Sequence, residues 1–143
     1  MKVLVDTNLL VSALLSAATP PSLVVAGAMN AMYELLVSEE SITELLVKCR
    51  QKPYLAERIS EATLANTVDI LRVTATVLPI LSIPPAAITR DPKDDYLIAH
   101  AIAEQVDVLV SGDRDLLALD GTFPFRILTP AAFAATLEAD QTP

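Results

Sequence analysis

Several carboxylates stand where they could do chemistry together. Asp6 follows the apolar run Lys2–Val5, and Asp113 follows Val108-Leu109-Val110 with Ser111 and Gly112 between. Each would sit at the C-terminal end of a buried strand, the edge at which open α/β sheets bind ligands. Asp95 opens an apolar-periodic segment. Its i+3, i+4, i+7 and i+11 neighbours are Ile98, Ala99, Ile102 and Val106, which places it on the inward stripe and leaves Asp94 as a solvated cap. An inward carboxylate is costly unless something compensates it. A helix N-terminus helps, and a hard cation such as Mg²⁺ or Mn²⁺ helps more. Such ions activate water and stabilise in-line displacement at phosphorus. The chemistry suggested is phosphodiester hydrolysis without His, Cys or a phosphate loop. Held together without a cation, at least one of these acids should titrate above its ordinary range.

Each residue also has a plainer reading. Asp6 could cap a helix beside Asn8, and Asp95 could be an ordinary first-turn acid. Asp113 and Asp115 could be turn and cap residues. Glu44 has capping-box spacing from Ser41, lies beside the stripe Ile42, Leu45, Leu46 and Cys49, and has Glu39 and Glu40 as rivals.

Composition removes most other chemistries. A single cysteine, Cys49, excludes a disulfide framework and a Cys-rich zinc site, and is expected as a small core group. The one histidine, His100, excludes two-His metal motifs and is expected as a plain helix residue. Three glycines cannot assemble a Gly-rich phosphate loop. Eighteen acids against ten bases give a net charge of −8, which argues against gripping nucleic acid mainly by phosphate neutralisation. Lys48, Arg50, Lys52 and Arg58 form the basic cluster that could steer phosphates locally, against the alternative of a solvated surface.

The elements that must position these residues alternate in type. Strands are expected over Lys2–Val5, Tyr33–Val37, Thr74–Leu81, Asp107–Val110 and Arg126–Leu128. Helices are expected from Asn8 to Ser16, Ser22 to Asn30, Ser38 or Ser41 to Arg50, Ser60 to Val73, Asp94 to Gln105, Leu116 to Leu119 and Ala131 to Leu137. Pro53 restarts the chain, and Ile83-Pro84-Pro85 and Arg90-Asp91-Pro92 make a loop. Alternation implies an α/β fold with a central parallel sheet and helices on both faces. The length of 143 residues suits one domain over 1–143, at about 100–200 residues per domain. Asp6 and Asn8 interrupt the N-terminal apolar run, so no export signal is expected, no run reaches a membrane span, and a cytoplasmic location is the default.

The segments carrying the acids also resemble a known family. Met1-Lys2-Val3-Leu4-Val5-Asp6-Thr7-Asn8 resembles the opening of PIN-domain ribonucleases. Ser41-Ile42-Thr43-Glu44-Leu45-Leu46 resembles their second motif, Asp91 to Ala101 their third, and Val108 to Leu117 their fourth. The order and spacing span nearly the whole chain, and the nearest likeness is to prokaryotic toxin components of toxin–antitoxin systems. The resemblance implies a metal-dependent endoribonuclease acting on single-stranded RNA, with a Mg²⁺ or Mn²⁺ site. Carried over by position, it implies Asp6, Glu44, Asp95 and Asp113 as the acidic quartet, with Asp115 a neighbour that could share the fourth role. It implies Thr7, Asn8 and Ser111 as residues that orient carboxylates or water, and it raises Glu44 above Glu39 and Glu40.

Two rivals remain at this level. A haloacid-dehalogenase-type phosphatase also starts strand-Asp, but it needs an acid two residues on, where this chain has Asn8. A binding module that kept the fold without the activity is the other. The 52% apolar content suggests surface for a homodimer or an antitoxin protein.

Overall fold

The computed structural model describes residues 1–16 and 19–141. Among these residues there are five strands and eight helices, and the strands form one sheet: β1 (Lys2–Val5), β2 (Glu34–Ser38), β3 (Thr76–Leu78), β4 (Val108–Val110) and β5 (Arg126–Leu128). Their order is β3-β2-β1-β4-β5, and every pairing is parallel. Eight helices connect and follow them: α1 (Thr7–Leu15), α2 (Pro20–Met29), α3 (Glu39–Gln51), α4 (Pro53–Arg58), α5 (Glu61–Thr74), α6 (Pro92–Ala103), α7 (Arg114–Leu117) and α8 (Pro130–Gln141).

The strands are apolar runs because both faces are covered. Side chains alternate across the sheet, so Val3, Val5, Leu35 and Val37 join one core with Leu9, Leu10, Val24, Ile42 and Leu64. Leu4, Leu36 and Leu109 join the other with Leu97, Ile98, Ala101 and Leu116. Helices α1, α2, α3, α5 and α8 therefore cover one face, and α6 and α7 the other. Each fully buried Leu, Ile or Val contributes about 1.5–3 kcal/mol of burial. Strand order reverses at β1, so a crevice opens beyond the C-terminal ends of β1 and β4. Among the described residues no single helix is long and apolar enough to cross a membrane.

The expected α/β architecture is the one observed, with differences at the element ends. Strand β3 is confined to Thr76–Leu78, and the rest of the expected Thr74–Leu81 run divides between the end of α5 and a loop. Asp6, not Asn8, caps α1: its Oδ1 accepts the Leu9 N–H at 2.8 Å. Ser38, not Ser41, caps α3, its Oγ accepting the Ser41 N–H at 3.1 Å. No capping box forms between Ser41 and Glu44, which frees the Glu44 carboxylate for longer-range partners. Helix α6 starts at Pro92, capped by Asp91, two residues before the expected Asp94.

Candidate active site

A cavity of about 570 Å³ lies over the C-terminal edge of the sheet, with walls from α1, α3 and α6. Asp6 enters from the end of β1 and Asp113 from the end of β4. Asp6 is buried, and its two oxygens have separate duties. One caps α1, and the other accepts a hydrogen bond from Ser111 Oγ. Ser111, fully buried, also accepts the Asp113 N–H at 3.0 Å, so one hydroxyl ties the Asp6 carboxylate to the backbone of Asp113. Capping and a position on the cavity wall thus coexist in Asp6.

Helix α6 supplies the third carboxylate, and here the sequence expectation is overturned. Asp94 faces the cavity and shares a hydrogen bond with Asp113. Asp95, expected there, turns away: its Oδ1 accepts from the Ile88 N–H at 3.0 Å, the Thr89 N–H at 2.7 Å and Thr89 Oγ1 at 3.0 Å. The cause is the register of the buried stripe. Ile102, counted as core, is 50% exposed, and the stripe that packs is Asp94, Leu97, Ile98 and Ala101. Asp94 has its own apolar i+3, i+4 and i+7 neighbours, a signal present in the sequence.

Electrostatics divide the site. Burial raises the Asp6 carboxyl above its ordinary range, against the Ser111 and Leu9 hydrogen bonds, with Asp113 and Glu44 adding repulsion. Burial, then the charges of Asp113 and Asp91, push Asp94 up to about 7. At least one raised acid was expected among Asp6, Glu44, Asp95 and Asp113, and Asp6 is raised; in both Asp6 and Asp94 burial is the first cause and neighbouring like charges add to it. Glu44 behaves oppositely. Burial acts to raise it, but hydrogen bonds from Lys48, Lys93 and Thr7 outweigh that and hold it below its usual range. Lys48 Nζ lies 2.9 Å and Lys93 Nζ 3.1 Å from Oε1, and Thr7 Oγ1 donates to Oε2 at 2.9 Å. Lys48 also donates to Asn8 Oδ1 at 2.9 Å. Thr7, Asn8, Glu44 and Lys48 all line the cavity.

The remaining expected residues fall elsewhere. Asp115 is exposed in the first turn of α7, where only its backbone N–H meets Asp113. The basic cluster splits. Arg50 pairs with Glu61 at 2.8 Å, and Arg58 lies 3.7 Å over the Tyr54 ring. Lys52 is exposed at the α3–α4 junction, so only Lys48 of the four reaches the cavity. Lys93 and the Glu40–His100 contact were not singled out, since both depend on α6 meeting α3 across the sheet edge.

The donor set can be tested for a cation. Among the described residues no three His, Cys, Asp or Glu side chains are gathered so as to hold an ion unaided. Asp6, Asp94 and Asp113 nonetheless border one cavity, along with Glu40, Glu44 and Asp91; Asp6 and Asp94 are driven toward their neutral forms, and carboxylate oxygens suit a hard divalent ion. Mg²⁺ keeps several waters in its shell, so a closed protein cage is not required.

Fold and site together define a parallel α/β protein with an acidic ligand crevice at its switch point. Residues 2–115 match the PIN-domain family model, and the chain belongs to the PIN-domain family, whose members are in general nucleases. No curated protein matches by sequence. A solved structure described as VapBC2 from Rickettsia felis bound to a DNA fragment from their promoter contains a similar chain. It superposes with a TM-score of 0.59 at 14% identity, over 90% of this chain and 98% of that one. At that identity the likeness concerns the fold.

Proposed function

We propose that this protein is a divalent-metal-dependent endoribonuclease that cuts single-stranded RNA, and that it is the toxin of a toxin–antitoxin pair. The observation that carries the reading is the convergence of Asp6, Asp94 and Asp113 on one cavity, where they repel one another. Mg²⁺ or Mn²⁺ would be held by these three, and when bound supplies charge neutralisation at phosphorus and an acidified water. The chain does the positioning. Ser111 fixes the Asp6 carboxylate and holds the Asp113 backbone N–H, and Asp94 is pushed toward its protonated form when no cation is present. Thr7 and the two lysines set Glu44, which we place as a support of the site. Lys48 and Lys93 offer phosphate a local positive field that the overall charge of −8 denies it.

The toxin assignment is supported by the sequence resemblance and by the fold shared with a chain of the VapBC2 assembly. It is also supported by apolar surface. A second cavity of about 270 Å³ opens between α1, α2 and α5, with Met29 and Ile70 on its walls and exposed Leu23 and Val73 among the neighbouring helix residues. An antitoxin protein is the proposed occupant, and a second copy of the chain is the other outcome of a light-scattering measurement.

The test of the activity is cleavage of a panel of single-stranded RNAs with Mn²⁺ or with EDTA. The wild type should cut only with metal, and Asp6→Asn should not cut. Undiminished metal-dependent cleavage by Asp6→Asn would place the activity elsewhere or in a contaminant.

A further inference from the structure

Glu40 and His100 come from helices on opposite faces of the sheet and meet at its edge. His100 Nε2 lies 3.1 Å from Glu40 Oε1 and 3.2 Å from Oε2, and the Leu81 N–H donates to Oε2 at 3.3 Å. The ring is 3% exposed, whereas the Glu40 side chain is 24% exposed and lines the main cavity. The carboxylate is therefore gripped from inside, with its orientation fixed and its open side toward the cavity. A carboxylate offers about four acceptor positions, and the inner contacts do not fill them all.

A fixed negative wall is a poor host for phosphate. It is a good host for N–H donors. Glu44, one helical turn further along α3, gathers Lys48 and Lys93. The cavity thus has one end that attracts phosphate and one that seeks donors, with apolar surface from Val47, Ile80 and Leu97. Bases of single-stranded RNA present apolar faces and a Watson–Crick edge carrying donors and acceptors.

We infer that Glu40, held by His100, is a specificity-determining residue that selects a nucleobase with an exocyclic amino group at its Watson–Crick edge. This rests on the single-stranded RNA reading above. Cytosine and uracil give the cleanest contrast: cytosine presents the N4 amino donor where uracil presents the O4 acceptor. Uracil would set O4 against the carboxylate. Glu40 contacts the base, and His100 is a positioning residue.

The experiment is fluorescence anisotropy with labelled octamers of cytidylate and of uridylate, in Mg²⁺ at fixed salt, with EDTA-treated and Mn²⁺ cleavage assays run on the same oligonucleotides. The wild type should bind the cytidylate octamer roughly tenfold more tightly than the uridylate octamer. Glu40→Gln should bring that ratio to about one, and His100→Gln should lower it, in proteins shown to be folded by their melting curves. A clamp that merely ties α3 to α6 would lower the melting temperature and leave the ratio alone, which would overturn the inference. So would a wild type that binds both octamers equally or neither. A retained base preference without metal-dependent cleavage would support base selection and defeat the nuclease reading, while cleavage without preference would do the reverse.

Discussion

Asp94 and Asp95 share the first turn of α6 and are both buried, yet the two sides of that helix drive them in opposite directions. On the cavity side, Asp94 has burial and the charges of Asp113 and Asp91 against it and is pushed up to about 7. On the loop side, the Thr89 N–H, with the Ile88 N–H and Thr89 Oγ1, holds Asp95 below its ordinary range although burial opposes this. Burial alone does not decide the state of a carboxylate; the donors and charges that face it do. One acid is spent on fixing the Ile88–Thr89 loop, and its neighbour is left wanting a proton or a cation.

The largest effect that could break this contrast is on cleavage. Asp94→Asn should lower metal-dependent RNA cleavage by at least about 100-fold, while Asp95→Asn, which keeps an acceptor oxygen, should stay within about threefold of wild type. Equal losses in a steady-state assay would mean that the two sides are not functionally distinct. Saturating Mg²⁺ should raise the melting temperature of the wild type and of Asp95→Asn by about 5 °C or more, and leave Asp94→Asn nearly unmoved. Differential scanning calorimetry gives that comparison directly.

Stability against pH sharpens it further. The folded Asp94 carboxyl lies above its unfolded value of 3.8, so the folded state binds more protons over that interval. Metal-free stability from Asp94 is therefore present at low pH and is lost as pH rises from about 4 to 7. Asp95 has the opposite sign: its contribution is present above its unfolded value and is lost as pH falls through the lower folded one. Urea denaturation should show the decline between pH 4 and 7 in wild type, and a flatter profile in Asp94→Asn. Asp95→Ala, which strands the Ile88 and Thr89 N–H groups, should lower the melting temperature by roughly 3–8 °C.

The sequence carried the framework of this site and lost its finest register. Apolar runs ending in Asp6 and Asp113 were readable because a strand covered on both faces has no alternation to disguise it. Periodicity points to Asp95 over Asp94 and is misled, because both stripes are apolar and only tertiary packing leaves Ile102 in solvent. Glu44 was ambiguous for a similar reason: Ser38 and Ser41 are both able to cap, and packing chose Ser38. The basic cluster read as one patch in sequence, but neighbouring positions on α3 face different partners, so Lys48 turns to Glu44 and Arg50 to Glu61. Lys93 and the Glu40–His100 pair arise from contacts across the sheet edge that no local pattern encodes.

The contrast between the two aspartates is tested most directly by carboxyl-carbon NMR titration of the folded protein, without metal and then with Mg²⁺. The account predicts a metal-free midpoint near 7 for Asp94 and a fall in that midpoint when Mg²⁺ is added. Asp95 should titrate below its ordinary range in both conditions. A raised, Mg²⁺-sensitive midpoint at Asp95 with an ordinary one at Asp94 would contradict it.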